Sequence, residues 1–128
     1  MAYYFSKTLP VSFEDAILRV IDELKKEGFG ILTDIDVQAT LKKKIDVNFR
    51  KYRILGACNP PFAYQALLSE DKIGTMLPCN VIVQEAADSK VEVAAIDPVA
   101  SMTAIQNEKL GEIAQLIRAK LRKVIHNL

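Results

Sequence analysis

The chain predicts an α+β fold in a single domain, residues 1–128, with strands forming a sheet and two main helices covering it. Three observations lead there. Ile17, Val20, Ile21 and Leu24 recur at helical steps of three and four, and Leu110, Ile113, Ile117, Leu121, Val124 and Leu128 form a second, longer stripe. Around these stripes lie β-rich runs, and the last two, Met76–Glu85 and Lys90–Ile96, are separated only by Ala86-Ala87-Asp88-Ser89, as in an antiparallel hairpin. No internal repeat, low-complexity tract or linker divides the chain, and its length suits one substantial core.

The elements follow in order. Residues 2 to 8 are aromatic and bounded by Pro10, which predicts an opening strand. Ser12 is placed as an N-cap with Asp15 three residues on, and the helix it starts ends at Lys25, Lys26 and a Gly28 cap followed by apolar Phe29. Phe29 to Ile35 reads as a second strand, after which Asp36 caps a short helix carrying Val37, Leu41 and the run Lys42-Lys43-Lys44. Tyr52 to Ala57 is a third strand. Asn59 as N-cap and Pro60 at the first helical position then open a helix through Phe62, Tyr64, Ala66, Leu67 and Leu68. Asp97-Pro98 stops the last strand, and from about Asn107 the long amphipathic helix runs onward to pack across the sheet.

Composition narrows the function. Seventeen Lys and Arg against sixteen Asp and Glu give a formal net charge of +1, so no overall field draws the chain to phosphate backbones or anionic lipid. Aromatic content of 7% without Trp gives little support to a base-stacking surface, and nucleic acid is not an expected partner. No apolar run approaches the ~18 residues of a membrane span, and no basic segment precedes an apolar core at the start. These readings predict a cytoplasmic protein with no membrane partner, where two cysteines serve as buried hydrophobes, metal ligands or redox groups rather than as a permanent disulfide.

Two triplets hold those cysteines: Cys58-Asn59-Pro60 and Pro78-Cys79-Asn80, near mirror images at the predicted junctions of strands and turns. The segments Ile54-Leu55-Gly56-Ala57-Cys58-Asn59-Pro60 with Ala63, and Met76-Leu77-Pro78-Cys79-Asn80-Val81-Ile82-Val83, with Asp97-Pro98 after the last strand, resemble the prokaryotic domain-of-unknown-function family 302. The resemblance covers nearly the whole chain. It implies a small homodimeric α+β domain, similar to the TATA-box-binding-protein-like fold, with a curved antiparallel-rich sheet in the order β-α-β-β-β-β-α and short inserted helices. It implies no established activity, and the fold label carries no DNA-binding function, since function belongs to sites.

The six triplet residues, Cys58, Asn59, Pro60, Pro78, Cys79 and Asn80, form the candidate site. A thiol beside a helix start meets the positive end of the helix dipole, which favours the thiolate and makes Cys58 the more reactive of the two. Prolines fix the local backbone, and the asparagine amides cap a helix or orient a bound group. One use is a binding or redox-accessory module in which Cys58 and Cys79 hold a small molecule, a thiophilic metal or a sulfur species, or cycle between dithiol and disulfide. The other is a non-catalytic dimeric interaction module in which both cysteines are structural. A closed zinc site lacks ligands, with two thiols and one His, and His126 reads as an end-of-helix residue.

The remaining candidates have plain structural readings. Asp34 and Asp36 share a face of an extended strand, as a hard-cation site requires, but also suit a solvated face and a helix cap. Tyr3, Tyr4 and Phe5 suit the sheet and its interface, and Lys42-Lys43-Lys44 the wet side of a helix. No nucleophile elbow, Walker loop or dinucleotide fingerprint is present, and no acid/base pair stands at a recognisable spacing, which leans against an enzyme.

Overall fold

The computed structural model describes residues 2–128. Five strands, β1 (Tyr4–Leu9), β2 (Gly30–Asp36), β3 (Tyr52–Cys58), β4 (Cys79–Glu85) and β5 (Val91–Ile96), form one open antiparallel sheet in the order β1-β5-β4-β3-β2. Five helices accompany them: α1 (Phe13–Lys26), α2 (Val37–Ile45), α3 (Pro60–Ser69), α4 (Pro98–Ser101) and α5 (Glu108–His126). A 3₁₀ helix over Asp71–Met76 follows α3. The α+β class and the strand order along the chain are those the sequence predicts.

The sheet has a dry face and an uncovered one because the strands alternate. Leu55, Ala57, Val81, Val83, Val91, Val93 and Ala95 are buried and packed with Phe13, Ala16, Ile17, Val20 and Leu24 of α1 and Ile117, Leu121, Val124 and Ile125 of α5. The residues that alternate with them along the strands, including Tyr52, Ile54, Ile82 and Ile96, face the other side and remain partly exposed. A second, smaller cluster joins Ala66 of α3, Ile73 of the 3₁₀ helix and Leu110 of α5. The two clusters share α5, and the site lies between them.

Local chemistry sets the ends of the elements that frame it. The Ser12 hydroxyl accepts from the Asp15 amide at 3.1 Å. At the other end of α1 the Gly28 amide donates to the Lys25 carbonyl (3.0 Å) and the Phe29 amide to the Leu24 carbonyl (2.9 Å), the double closure of a Schellman motif. Gly28 adopts φ +88°, which a residue with a Cβ rarely does. Asp36 caps α2 by accepting from the Ala39 amide, and Asn107 caps α5 by accepting from the Leu110 amide.

Several boundaries differ from the sequence reading. Cys58 is the last residue of β3 rather than a residue beyond it, and β4 starts at Cys79 rather than Met76 because Asp71–Met76 is a 3₁₀ helix. Asp97-Pro98 does more than stop β5. The Asp97 carboxylate accepts from the Val99 amide at 3.0 Å with Pro98 at the first helical position, which opens α4.

Candidate functional site

The cysteines come from neighbouring strands. Cys79 opens β4 opposite Ala57, and Cys58 closes β3 one residue further along, opposite Gly30 of β2. Both are partly buried free thiols, and both line one cavity of about 350 Å³. Its floor is the end of the sheet, with Phe29, Ala57 and the two thiols. One wall is α3, through Phe62, Ala63, Ala66 and Leu67, and the other is α5, through Leu110, Ile113, Ala114 and Ile117. Leu77, Pro78, Pro98 and Met102 close the far end. Leu67 and Leu32 line it too while being 44% and 66% exposed, so the cavity opens to solvent between them.

The void follows from how α3 packs. Its sequence, Pro-Pro-Phe-Ala-Tyr-Gln-Ala-Leu-Leu-Ser, is apolar nearly all round, yet only Ala66 is buried. A helix of that composition ordinarily lies inside a core. Here α3 and the 3₁₀ helix gather into the small cluster on the first half of α5, leaving a gap between that cluster and the sheet.

Asn59 ties the site to α1. It stands at the start of α3, but its side chain makes no cap bond there. Instead its Nδ2 donates to the Glu27 carbonyl at 3.1 Å, lying where a Cβ on Gly28 would come within 3.0 Å of it. The residue is 8% exposed, so this bond satisfies a buried amide. The capping role expected of Asn59 is therefore replaced by a tether between the end of β3 and the α1–β2 turn.

Gly56 performs a related service beneath Pro78. A Cβ at position 56 would lie 2.1 Å from Thr33 Oγ1 and 2.7 Å from Pro78 Cγ, so bare backbone is what lets both approach β3. The pairing slips between Ile31 and Thr33, and the extra residue is Leu32, placed by this bulge at the cavity mouth.

Of the six sequence-predicted site residues, Cys58, Asn59, Pro78 and Cys79 line the cavity. Pro60 does not; it is exposed at the first position of α3. Asn80 does not either, because the residue after Cys79 in a strand points to the opposite face, where it borders a groove with Tyr3, Tyr4, Tyr52 and Gln84. The walls given by α3 and α5 went unassigned in the sequence, where their helical spacing reads equally well as core.

Electrostatically the site is quiet. Burial, with a smaller contribution from the neighbouring Cys58, pushes the Cys79 thiol up from 9.0 to about 11, so it is protonated at neutral pH. Among the described residues no group of three or more His, Cys, Asp and Glu could hold a metal ion. The paired aspartates have other work: Asp34 engages Arg53 with both carboxylate oxygens, one from Nε at 2.7 Å, and that guanidinium holds the Asp34 carboxyl below its usual range. Asp36 is the α2 cap. Lys42 of the lysine run pairs with Asp46, and His126 is exposed at the last turn of α5. At the far end, Asp97, 6% exposed, also accepts from Arg118 Nε at 3.1 Å, which locks Pro98 of the cavity wall to α5.

Among the described residues no helix is long and apolar enough to cross a membrane. No curated protein matches the sequence. Among solved structures the chain is similar to the crystal structure of an uncharacterized conserved protein DUF302 from Bacillus stearothermophilus, at 25% identity and a TM-score of 0.90, with 98% of each chain covered. The family model described as "Domain of unknown function DUF302" matches residues 5–128, carrying both cysteine triplets and Asp97-Pro98, and the chain belongs to that family.

Proposed function

We propose that the protein is a small-ligand-binding module whose ligand is an apolar molecule seated between α3, α5 and the ends of β3 and β4. The observation that supports this is the cavity itself. At about 350 Å³ it falls within the size range of small-molecule sites, is lined almost wholly by carbon and sulfur, and opens between exposed leucines. In this reading Cys58 and Cys79 are polarizable wall groups, and Cys79, neutral at physiological pH, makes soft contacts rather than acting as a thiolate. Titration with the neutral fluorophore N-phenyl-1-naphthylamine tests it. Saturable binding near one per chain is expected, and Ala63→Trp, which fills the void from α3, is expected to weaken it at least about tenfold while the melting temperature holds. Absence of saturable binding to the folded wild-type protein would overturn it.

A second reading has its own observation. The sheet face away from α1 and α5 carries Tyr4, Ile35, Tyr52, Ile54, Ile82 and Ile96, with Tyr4 41% and Ile35 46% exposed. A face of that make-up supports a homodimer formed sheet to sheet. Sedimentation at micromolar concentration, with Ile82→Glu expected to give monomer, checks it.

A further inference from the structure

The cavity has no charged residue in its lining and a cation beside one of its walls. Leu110, Ile113, Ala114 and Ile117 of α5 line it over two helical turns, about 10 Å at 1.5 Å per residue. One turn beyond Ile117 on the same helix stands Lys120, partly buried, its ammonium 5.9 Å from the centroid of the Phe62 ring, which is itself part of the cavity wall. Among the described residues no carboxylate lies within salt-bridge reach of Lys120. Glu27 is engaged by Lys123, one turn further on, at 3.4 Å. At the opposite end, closed by Leu77, Pro98 and Met102, no charged residue lines the cavity, and the charges beside Pro98, Asp97 and Arg118, are paired with each other at 3.1 Å.

From this asymmetry we infer that the ligand is a monocarboxylic acid with an unbranched apolar tail, the tail lying along α5 in the cavity and the carboxylate meeting Lys120. The inference rests on the binding reading above and names its ligand class. The two turns of α5 that line the cavity suit a chain lying along the helix, and the cavity volume equals that of about a dozen water-sized groups, as a medium-length acyl chain requires. A lone ammonium beside an aromatic ring at the edge of an apolar cavity recognises one anionic head group and leaves the tail to be selected by length and shape.

Calorimetric titration with octanoate and with octanol, which share a tail and differ in the head, tests the proposal on the whole chain. Octanoate is expected to bind about tenfold more tightly than octanol, the size of one charge-assisted hydrogen bond. Lys120→Gln is expected to abolish that preference while leaving octanol binding unchanged, and Lys123→Gln is expected to leave both unchanged. If both compounds bind wild type equally, or if Lys120→Gln leaves the octanoate preference intact, the carboxylate assignment falls and the cavity reading stands. If neither compound binds and N-phenyl-1-naphthylamine does not bind either, the cavity reading falls with it.

Discussion

Cys79 gives a prediction whose size and sign follow from the structure. The folded protein holds this proton with a pKa raised from 9.0 to about 11, chiefly because burial penalises the thiolate, with the nearby Cys58 adding to it. An unfolded chain releases the proton near the ordinary value. The stability contributed by the neutral buried thiol is therefore complete below about pH 9 and is lost as the pH rises through about 11, with no counterpart in acid. At 1.36 kcal/mol per pH step the loss amounts to about 2–3 kcal/mol. Urea unfolding of the wild type and of Cys79→Val at pH 7, 9, 10 and 11 isolates it, since lysines and tyrosines titrate in both proteins. The stability gap between wild type and variant should shift against the wild type by that amount between pH 9 and 11. In a Cys58→Ser background most of the shift should persist, because burial is the larger cause. A gap that does not move with pH would refute the reasoning. The same thiol should resist iodoacetamide at pH 8, where roughly one in a thousand is ionised, and react after unfolding.

Three further substitutions probe the frame around the cavity. Gly56→Ala drives a Cβ into Thr33 and Pro78 and should cost about 1–3 kcal/mol in urea unfolding, whereas Gly30→Ala, which meets nothing within 4 Å, should stay within about 0.5 kcal/mol of wild type. Asn59→Ala removes the bond to the Glu27 carbonyl and should cost about 1–2 kcal/mol in the same assay, with earlier hydrogen exchange at the α1–β2 turn. Arg118→Met strands the Asp97 carboxylate, 6% exposed, beside the α4 start; a loss of about 3 kcal/mol is expected from thermal unfolding, and Asp97→Asn in the same background should recover part of it.

Much of this architecture was legible in the residues, for reasons that can be named. The stripes of α1 and α5, the caps at Ser12 and Asp36 and the Gly28-Phe29 closure are local devices, and local devices are written in local sequence. The hairpin of β4 and β5 was legible because its strands alternate on either side of a short polar turn. Placing both cysteines at strand ends followed from the same logic, and the register of Ala57 with Cys79 brings them to one cavity. What stayed hidden depended on parity and on packing at a distance. Asn80 belongs to the opposite face because it follows Cys79 in β4, where successive side chains alternate. Asn59 has the side chain of a cap and spends it on Glu27, a partner brought near only by the tertiary fold. Asp97-Pro98 repeats the chemistry of Asn59-Pro60, so the pair signals a helix start as well as a strand stop. The bulge at Leu32 and the separation of α3 from the sheet, which together make the cavity, have no periodicity to announce them.

An apolar ligand is expected to enter the space between α3, α5 and the two thiols. Methyl-labelled NMR during titration with N-phenyl-1-naphthylamine measures this most directly, with Ala63, Ala66 and Met102 reporting from the cavity wall and Leu18, 66% exposed on α1, serving as the remote control. Saturable shifts are expected at the three wall methyls with one common affinity, and none at Leu18. Shifts confined to the uncovered sheet face, or wall methyls unmoved while the fluorophore binds, would contradict it.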